Sequence, residues 1–178
     1  MRVISGKYKS RKFKLPKNFP SRPTTDSAKE GLFNILNNQI DFEDCDVLDL
    51  FAGTGNISLE FLSRESKSVL SIDSHFVSFK NMKKLMHEVG ADNWKVIKND
   101  VFKYVPKLDR QFDVVFADPP FGLEKIYDIP TLVLDSTLLK DDGLLIVEHG
   151  KETDFSKNEH FDNVRNYGGV NFAFFTKK

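Results

Sequence analysis

The run Asp118-Pro119-Pro120-Phe121 leaves the apolar stretch Phe112–Ala117 with an acid, two stiff residues and a ring. This set suits one demanding piece of chemistry. The exocyclic amine of a nucleobase is a poor nucleophile, because its lone pair is delocalised into the ring. A site that alkylates it must accept hydrogen bonds from the NH2 and hold the lone pair towards the donor. The Asp118 carboxylate and the Pro119 carbonyl are two such acceptors. Pro119 and Pro120 fix φ near −65° and remove competing N–H donors, so the acceptors stay aimed. Phe121 offers a face for a base, and stacking of that kind is worth about 1–3 kcal/mol. The plainer alternative is that the prolines merely end a strand.

The segment Asp49–Gly55, DLFAGTG, supplies a second signal. Gly53 and Gly55 allow a tight turn and close backbone approach to a ligand, but Ser58 stands where a full dinucleotide fingerprint has its third glycine. An acid four residues before the first glycine suits a cationic ligand such as an α-ammonium group better than a pyrophosphate. That favours S-adenosylmethionine over a nicotinamide dinucleotide. Asp73, which ends the next apolar run, could accept both hydroxyls of a ribose. Asn99 and Asp100 end the run after that, and an amide or carboxylate there could read an adenine amino group. Helix capping is the rival explanation for Asp73 and for the Asn99–Asp100 pair. Asp49, Asp73, Asp100 and Asp118 nevertheless all fall at the carboxyl ends of successive strands, the edge at which open α/β sheets bind ligands.

The elements that must carry these residues follow from hydrophobic periodicity. Strands are expected over 46–51, 68–73, 94–99, 112–117 and 143–149, with helices over 56–64, 75–89 and 124–136, the last interrupted by Pro130, and a short amphipathic turn over 100–105. Phe76, Phe79, Met82, Lys83 and Met86 mark the expected stripe of the helix over 75–89. Thr25 or Asp26 can cap an earlier helix with the stripe Ala28, Leu32, Phe33, Ile35 and Leu36. Gly168-Gly169, between two aromatic-rich runs, signals an antiparallel hairpin. The expected fold is α/β and Rossmann-like: a mostly parallel seven-stranded sheet, closed by a C-terminal antiparallel hairpin and preceded by an N-terminal β-hairpin. Residues 1–23 form the basic opening arm and 24–178 the main domain.

The chain has 178 residues, 40% apolar and 29% charged, enough for one well-packed domain with a small appendage. Its net charge is zero, which by itself argues against nucleic acid, but the distribution is uneven. From Met1 to Pro23 there are eight basic residues and no acid. A polyanion therefore meets a basic arm, although such segments are often only solvated edges. One cysteine, Cys45, excludes a disulfide framework, and four scattered histidines argue against a metal site. No apolar run approaches the ~20 residues of a membrane span, and the opening residues lack the apolar core of a signal peptide. A cytoplasmic monomer is expected.

With these residues assembled, the chain resembles class I S-adenosylmethionine-dependent methyltransferases, and within them the bacterial RsmD family, which methylates N2 of a guanine in 16S rRNA of the small ribosomal subunit. The likeness runs through RVISGKYKSRKFKLP, RPTTDSAKEGLFNIL, VLDLFAGTGNISLEFLSR and FDVVFADPPF. It implies that Thr24, Thr25 and Asp26 approach the methionine end of the cofactor. Asp49, Phe51, Gly53 and Gly55 would line the first loop, Asp73 would hold the ribose, and Asn99 and Asp100 would lie near the adenine. Asp118, Pro119, Pro120 and Phe121 would form the target-base site. Arg2, Lys7, Lys9, Arg11, Lys12 and Arg22 would grip RNA in a partly or fully assembled subunit. The sequence departs from the family where relatives carry arginines after RPTTD, leaving Lys29 as the only base in that turn. Relatives also carry Glu at position 73 and Asn at position 100. The same acceptor pair would serve an adenine-N6 methyltransferase of DNA or RNA. A non-catalytic RNA-binding assembly factor would keep the fold, but would not need an intact DPPF.

Overall fold

A computed structural model of the chain describes residues 1–17, 19 and 23–177. The sheet has seven strands: β1 (Asp46–Leu50), β2 (Ser68–Asp73), β3 (Trp94–Lys98), β4 (Phe112–Ala117), β5 (Leu139–His149), β6 (Phe161–Tyr167) and β7 (Val170–Thr176). Their spatial order is β3-β2-β1-β4-β5-β7-β6. The pairings among β1 to β5 are parallel, while β7 runs antiparallel to both β5 and β6. The helices are α1 (Asp26–Leu36), α2 (Asn56–Ser63), α3 (Phe76–Val89), α4 (Val101–Tyr104) and α5 (Asp128–Leu134). Among the described residues no helix is long and apolar enough to cross a membrane.

Parallel strands covered on both faces must be apolar on both faces. Alternate residues here feed two separate cores. Val47, Val69, Val114, Phe116 and Ile146 pack against Phe33 and Leu36 of α1, Phe61 of α2, and Met82 and Leu85 of α3. Leu48, Leu50, Ile72, Val115 and Val147 face Val101 of α4 and Ile129 and Val133 of α5. Each such side chain, fully buried, contributes about 1.5–3 kcal/mol. Phe172, Phe174 and Phe175 are buried sheet residues, so the aromatic tail is core.

Two local expectations are corrected, and a third, the α1 cap, is met. In α3 the buried face is Ser78, Asn81, Met82 and Leu85, and Phe76 stands 60% exposed. Asn81 is drawn inward because its amide donates to the Thr54 carbonyl at 3.0 Å, rotating the helix away from the purely apolar stripe. Pro130 does not interrupt a helix but sits in the first turn of α5, where its missing N–H costs nothing. In α1, Thr25 is the cap, its Oγ1 accepting from the Ala28 N–H at 3.2 Å, and the buried face includes Lys29.

In place of the expected N-terminal β-hairpin, the opening segment folds back on itself, among the described residues, through one isolated antiparallel bridge between Arg2 and Lys12. It buries Val3, Tyr8 and Phe13 in the same core as α1 and α2. Gly6 is required there: at φ +80° it lies so near α2 that a β-carbon would stand 1.8 Å from the Ser63 carbonyl oxygen. The Lys7 N–H donates to that oxygen at 2.6 Å, and the Tyr8 N–H to Ser63 Oγ at 2.9 Å.

Candidate active site

The strand order reverses between β1 and β4, and a cleft of about 1010 Å³ opens at the carboxyl ends of β1, β2 and β4. A switch point of this kind is where such sheets leave room for a ligand. Its first wall is the loop from β1 to α2. Phe51, Gly53 and Gly55 all have positive φ, at 57°, 51° and 77°, and together they turn the chain sharply enough to begin α2 at Asn56. Asp73 clamps this loop, one oxygen accepting from the Gly53 N–H at 2.8 Å and the other from the His75 N–H at 2.8 Å.

Asp49 lies beneath the loop and lines the cleft. It is 1% exposed and accepts hydrogen bonds from the Ser58 hydroxyl and, at 3.2 Å, the Ser58 N–H. The relay continues through Ser71 Oγ, 2.6 Å from Ser58 Oγ, to the indole N–H of Trp94 at 2.7 Å. Burial pushes the Asp49 carboxyl up to about 7, against the pull of the Ser58 hydrogen bonds, with the Asp73 charge adding to the rise.

Across the cleft, β4 delivers Asp118. Burial, then the nearby carboxylates Glu148 and Asp49, raise its pKa well above the usual carboxylate range. Among the described residues nothing donates a hydrogen bond to the Asp118 carboxylate or to the Pro119 carbonyl. The Pro120 carbonyl, by contrast, is taken by the Leu123 N–H at 3.1 Å. Pro119 is buried, Pro120 exposed, and Phe121 is 88% exposed at the mouth. The pair of free acceptors and the solvent-facing ring sit side by side.

Glu148 was not singled out from the sequence, although it obeys the same rule as the four acids: a carboxylate at the carboxyl end of an apolar strand. Val147 is in register with Ala117, so Glu148 and Asp118 emerge next to each other from adjacent strands on the same face. The Thr24 hydroxyl donates to Glu148 Oε2 at 3.0 Å. Burial lifts the Glu148 carboxyl to about 7, with the Thr24 hydrogen bond opposing.

The other residues marked in the sequence divide. Thr24, Phe51, Gly53, Asp73 and Asp100 line the cleft, while Thr25, Asp26, Gly55 and Asn99 are not among its lining residues. Thr25 caps α1, and Asp26 pairs with Arg2 at 2.9 Å. Gly55 lies beneath the loop, where a β-carbon would meet Met82. Asp100 both lines the cleft and caps α4, accepting from the Lys103 N–H at 3.0 Å, so capping and lining coexist. Asn99 is exposed, and its side chain accepts from the Asp100 N–H. Arg2, Lys7, Lys9, Arg11 and Lys12 are exposed, with the Arg11 guanidinium over the Phe13 ring at 5.1 Å; Arg22 lies outside the described residues. Lys29 faces inward and is fully buried, so it is no RNA-facing base. Lys103 and Lys125, unmarked in the sequence, line the cleft rim.

A ligand joining a cation to a nucleoside fits this donor set: Asp49 is on the floor, Asp73 and Asp100 are on one wall, and the glycine loop allows close approach. Among the described residues no group of three or more His, Cys, Asp or Glu is placed to hold a metal ion.

Residues 1–176 match the family described as Conserved hypothetical protein 95. Ribosomal RNA small subunit methyltransferase D of Escherichia coli K12 is 32% identical over 148 residues, 83% of this chain and 74% of the relative. A candidate rRNA methyltransferase of Bacillus subtilis is 32% identical over 158 residues, 86% of this chain and 85% of the relative. The solved structure of a candidate methyltransferase from Escherichia coli superimposes with a TM-score of 0.87 at 28% identity, covering 100% of this chain and 98% of that one.

Proposed function

The chain belongs to the RsmD family, described as Conserved hypothetical protein 95, and from that membership and its cleft we propose that it methylates the exocyclic N2 of a guanine in 16S rRNA. The observation that carries the chemistry is the pair of acceptors left without donors, the Asp118 carboxylate and the Pro119 carbonyl, beside the exposed Phe121 ring. When bound, S-adenosylmethionine supplies a methyl group on a sulfonium, whose C–S bond breaks as the N–C bond forms, and departs as S-adenosylhomocysteine.

The rest is done by the protein. Asp49 attracts the cationic amine of the donor, Asp73 accepts from its ribose hydroxyls, and Asp100 lies by its adenine. Phe121 stacks the extruded guanine. Asp118 and the Pro119 carbonyl accept the two N2 hydrogens, which localises the amine lone pair and points it at the methyl group. As the N–C bond forms, the amine becomes acidic and gives one proton to Asp118, whose raised pKa makes it a stronger base than an ordinary carboxylate. Holding the reactants in line supplies much of the acceleration. Lys7, Lys9, Arg11 and Lys12, with Lys103 and Lys125 on the rim, bind phosphates of the small subunit, and the enzyme acts as a cytoplasmic monomer.

Labelled methyl transfer to small subunits lacking the modification, with the product nucleoside identified, tests this reading. N2-methylguanosine is expected. Asp118→Ala should lower turnover about 10²–10⁴-fold while S-adenosylhomocysteine affinity stays nearly unchanged. N6-methyladenosine as the product would replace the proposal with its adenine rival.

A further inference from the structure

We propose that Glu148 selects guanine over adenine, its carboxylate accepting from the N1–H of the target base while Asp118 and Pro119 accept from the N2 amine. This rests on the guanine-N2 reading above.

Guanine's Watson–Crick edge carries two neighbouring donors, N1–H and N2–H2. Adenine offers an amine beside a lone pair at N1. A site that presents two adjacent acceptors therefore suits the first and opposes the second. Such a pair exists at the ends of β4 and β5. The Ala117–Val147 register brings Asp118 and Glu148 out side by side on one face, and the cleft is lined by Asp118 and by Thr24, which holds Glu148. Thr24 occupies one Glu148 oxygen at 3.0 Å, and among the described residues the other, Oε1, takes no hydrogen bond. Oε1 is also not among the fully occluded polar atoms without a partner. Among the described residues Oε1 is thus an acceptor without a protein donor beside the amine clamp; Glu148 itself is not among the residues lining the cleft and meets it through its neighbours Asp118 and Thr24.

The orientation of Glu148 is itself fixed. The Asn56 amide donates to the Thr24 carbonyl at 3.0 Å, and Asn56 Oδ1 accepts from the buried Lys29 ammonium at 2.8 Å. A chain of buried hydrogen bonds therefore sets the hydroxyl that sets the carboxylate. That degree of support suits a group that must discriminate by position. A site built to hydrogen-bond a donor rejects an analogue lacking it far more strongly than a hydrophobic pocket rejects a change of size.

The test uses small subunits rebuilt with guanosine or 2-aminopurine riboside at the target position. The analogue keeps the 2-amino group but replaces N1–H by a lone pair. The wild-type enzyme is expected to prefer guanosine by at least about 100-fold in kcat/KM. Glu148→Gln, whose amide can donate to N1 of the analogue, should compress that preference to within about tenfold. Readout of O6 by any other group would persist in both enzymes, so the change in the ratio belongs to Glu148. A wild type indifferent to the analogue overturns the proposal, as does a variant that slows both substrates equally, since a purely structural role has that effect. Indifference of the wild type overturns the proposal whether or not the variant folds well, while support requires the folded variant to compress the ratio. Failure of the wild type to methylate guanosine at all would instead overturn the parent reading and this inference together.

Discussion

Lys29 Nζ lies 3.1 Å from Glu60 Oε2, and neither side chain has any exposure to solvent. The ammonium also donates to the Arg2 carbonyl at 2.5 Å, while the Glu60 carboxylate accepts the Ile4 and Ser5 N–H groups and the Arg64 guanidinium. The pair therefore fastens the opening segment to α1 and α2. Burial lowers the Lys29 pKa, and Glu60 opposes that shift. Breaking a buried pair costs about 3–5 kcal/mol. Glu60 here keeps Arg64 and two backbone donors, yet removing Lys29 also removes the ammonium's bonds to the Arg2 carbonyl and Asn56 and leaves its pocket unfilled. Lys29→Ala should lose that much in urea unfolding. A loss below about 1 kcal/mol would show that the pair is not integral to the fold.

Seating the opening segment in the core leaves its lysines pointing outward. Replacing Lys7, Lys9, Arg11 and Lys12 together by Gln should weaken RNA binding and flatten its dependence on salt. Each lost phosphate contact lowers the slope of log K against log salt by about 0.7–0.9. Arg11 also stacks on Tyr8 and Phe13, so its replacement carries a small stability cost. An unchanged slope in the fourfold variant would show that the segment does not contact phosphates.

Much of this was legible in the sequence because periodicity and turn chemistry agree. The β-α alternation, the Thr25 cap and the Gly168–Gly169 hairpin each have a local cause, and all appear where expected. The file of acids at one sheet edge was legible for the same reason, since strand ends can be counted. What failed was anything decided by long-range polar contact. Lys29 reads as a surface base, yet Glu60 and the Arg2 carbonyl, distant in sequence, draw it inside. Asn81 rotates α3 by reaching Thr54. Glu148 was passed over because its meaning depends on Asp118 in the neighbouring strand and on Thr24 across the cleft, and no local pattern contains either.

Asp49 should make stability depend on pH in an unusual direction. Its folded-state pKa is raised to about 7 by burial, against about 3.9 when unfolded, so the folded state holds the proton more tightly. Stability from this group is complete below pH ~4 and is lost as pH rises through about 7. Asp49→Asn removes that loss. Relative to wild type, the variant should gain up to about 4 kcal/mol on going from pH 4 to pH 8. Glu148 drifts the same way in both proteins, whereas Asp118 loses the push of the Asp49 charge in the variant, which adds to the gain. Paired denaturant curves across this range decide it, and a pH-independent difference would contradict the shift.

Phe121 should matter to RNA and hardly at all to folding. Its ring is 88% exposed, so the fold gains little from it. One edge nonetheless rests against the end of β5, where a β-carbon on Gly150 would lie 3.3 Å from Cε2. The ring is thus backed on one side and open on the other, beside the Asp118 and Pro119 acceptors. A base stacked on the open face gains about 1–3 kcal/mol before and during transfer alike. Interactions equal in the ground and transition states appear in KM and not in kcat. Phe121→Ala should therefore raise KM for the small subunit about 5- to 150-fold with kcat and melting temperature nearly unchanged, and Phe121→Tyr should restore it. A fall in kcat at constant KM would mean that the ring orients the amine during transfer and does not simply hold the base.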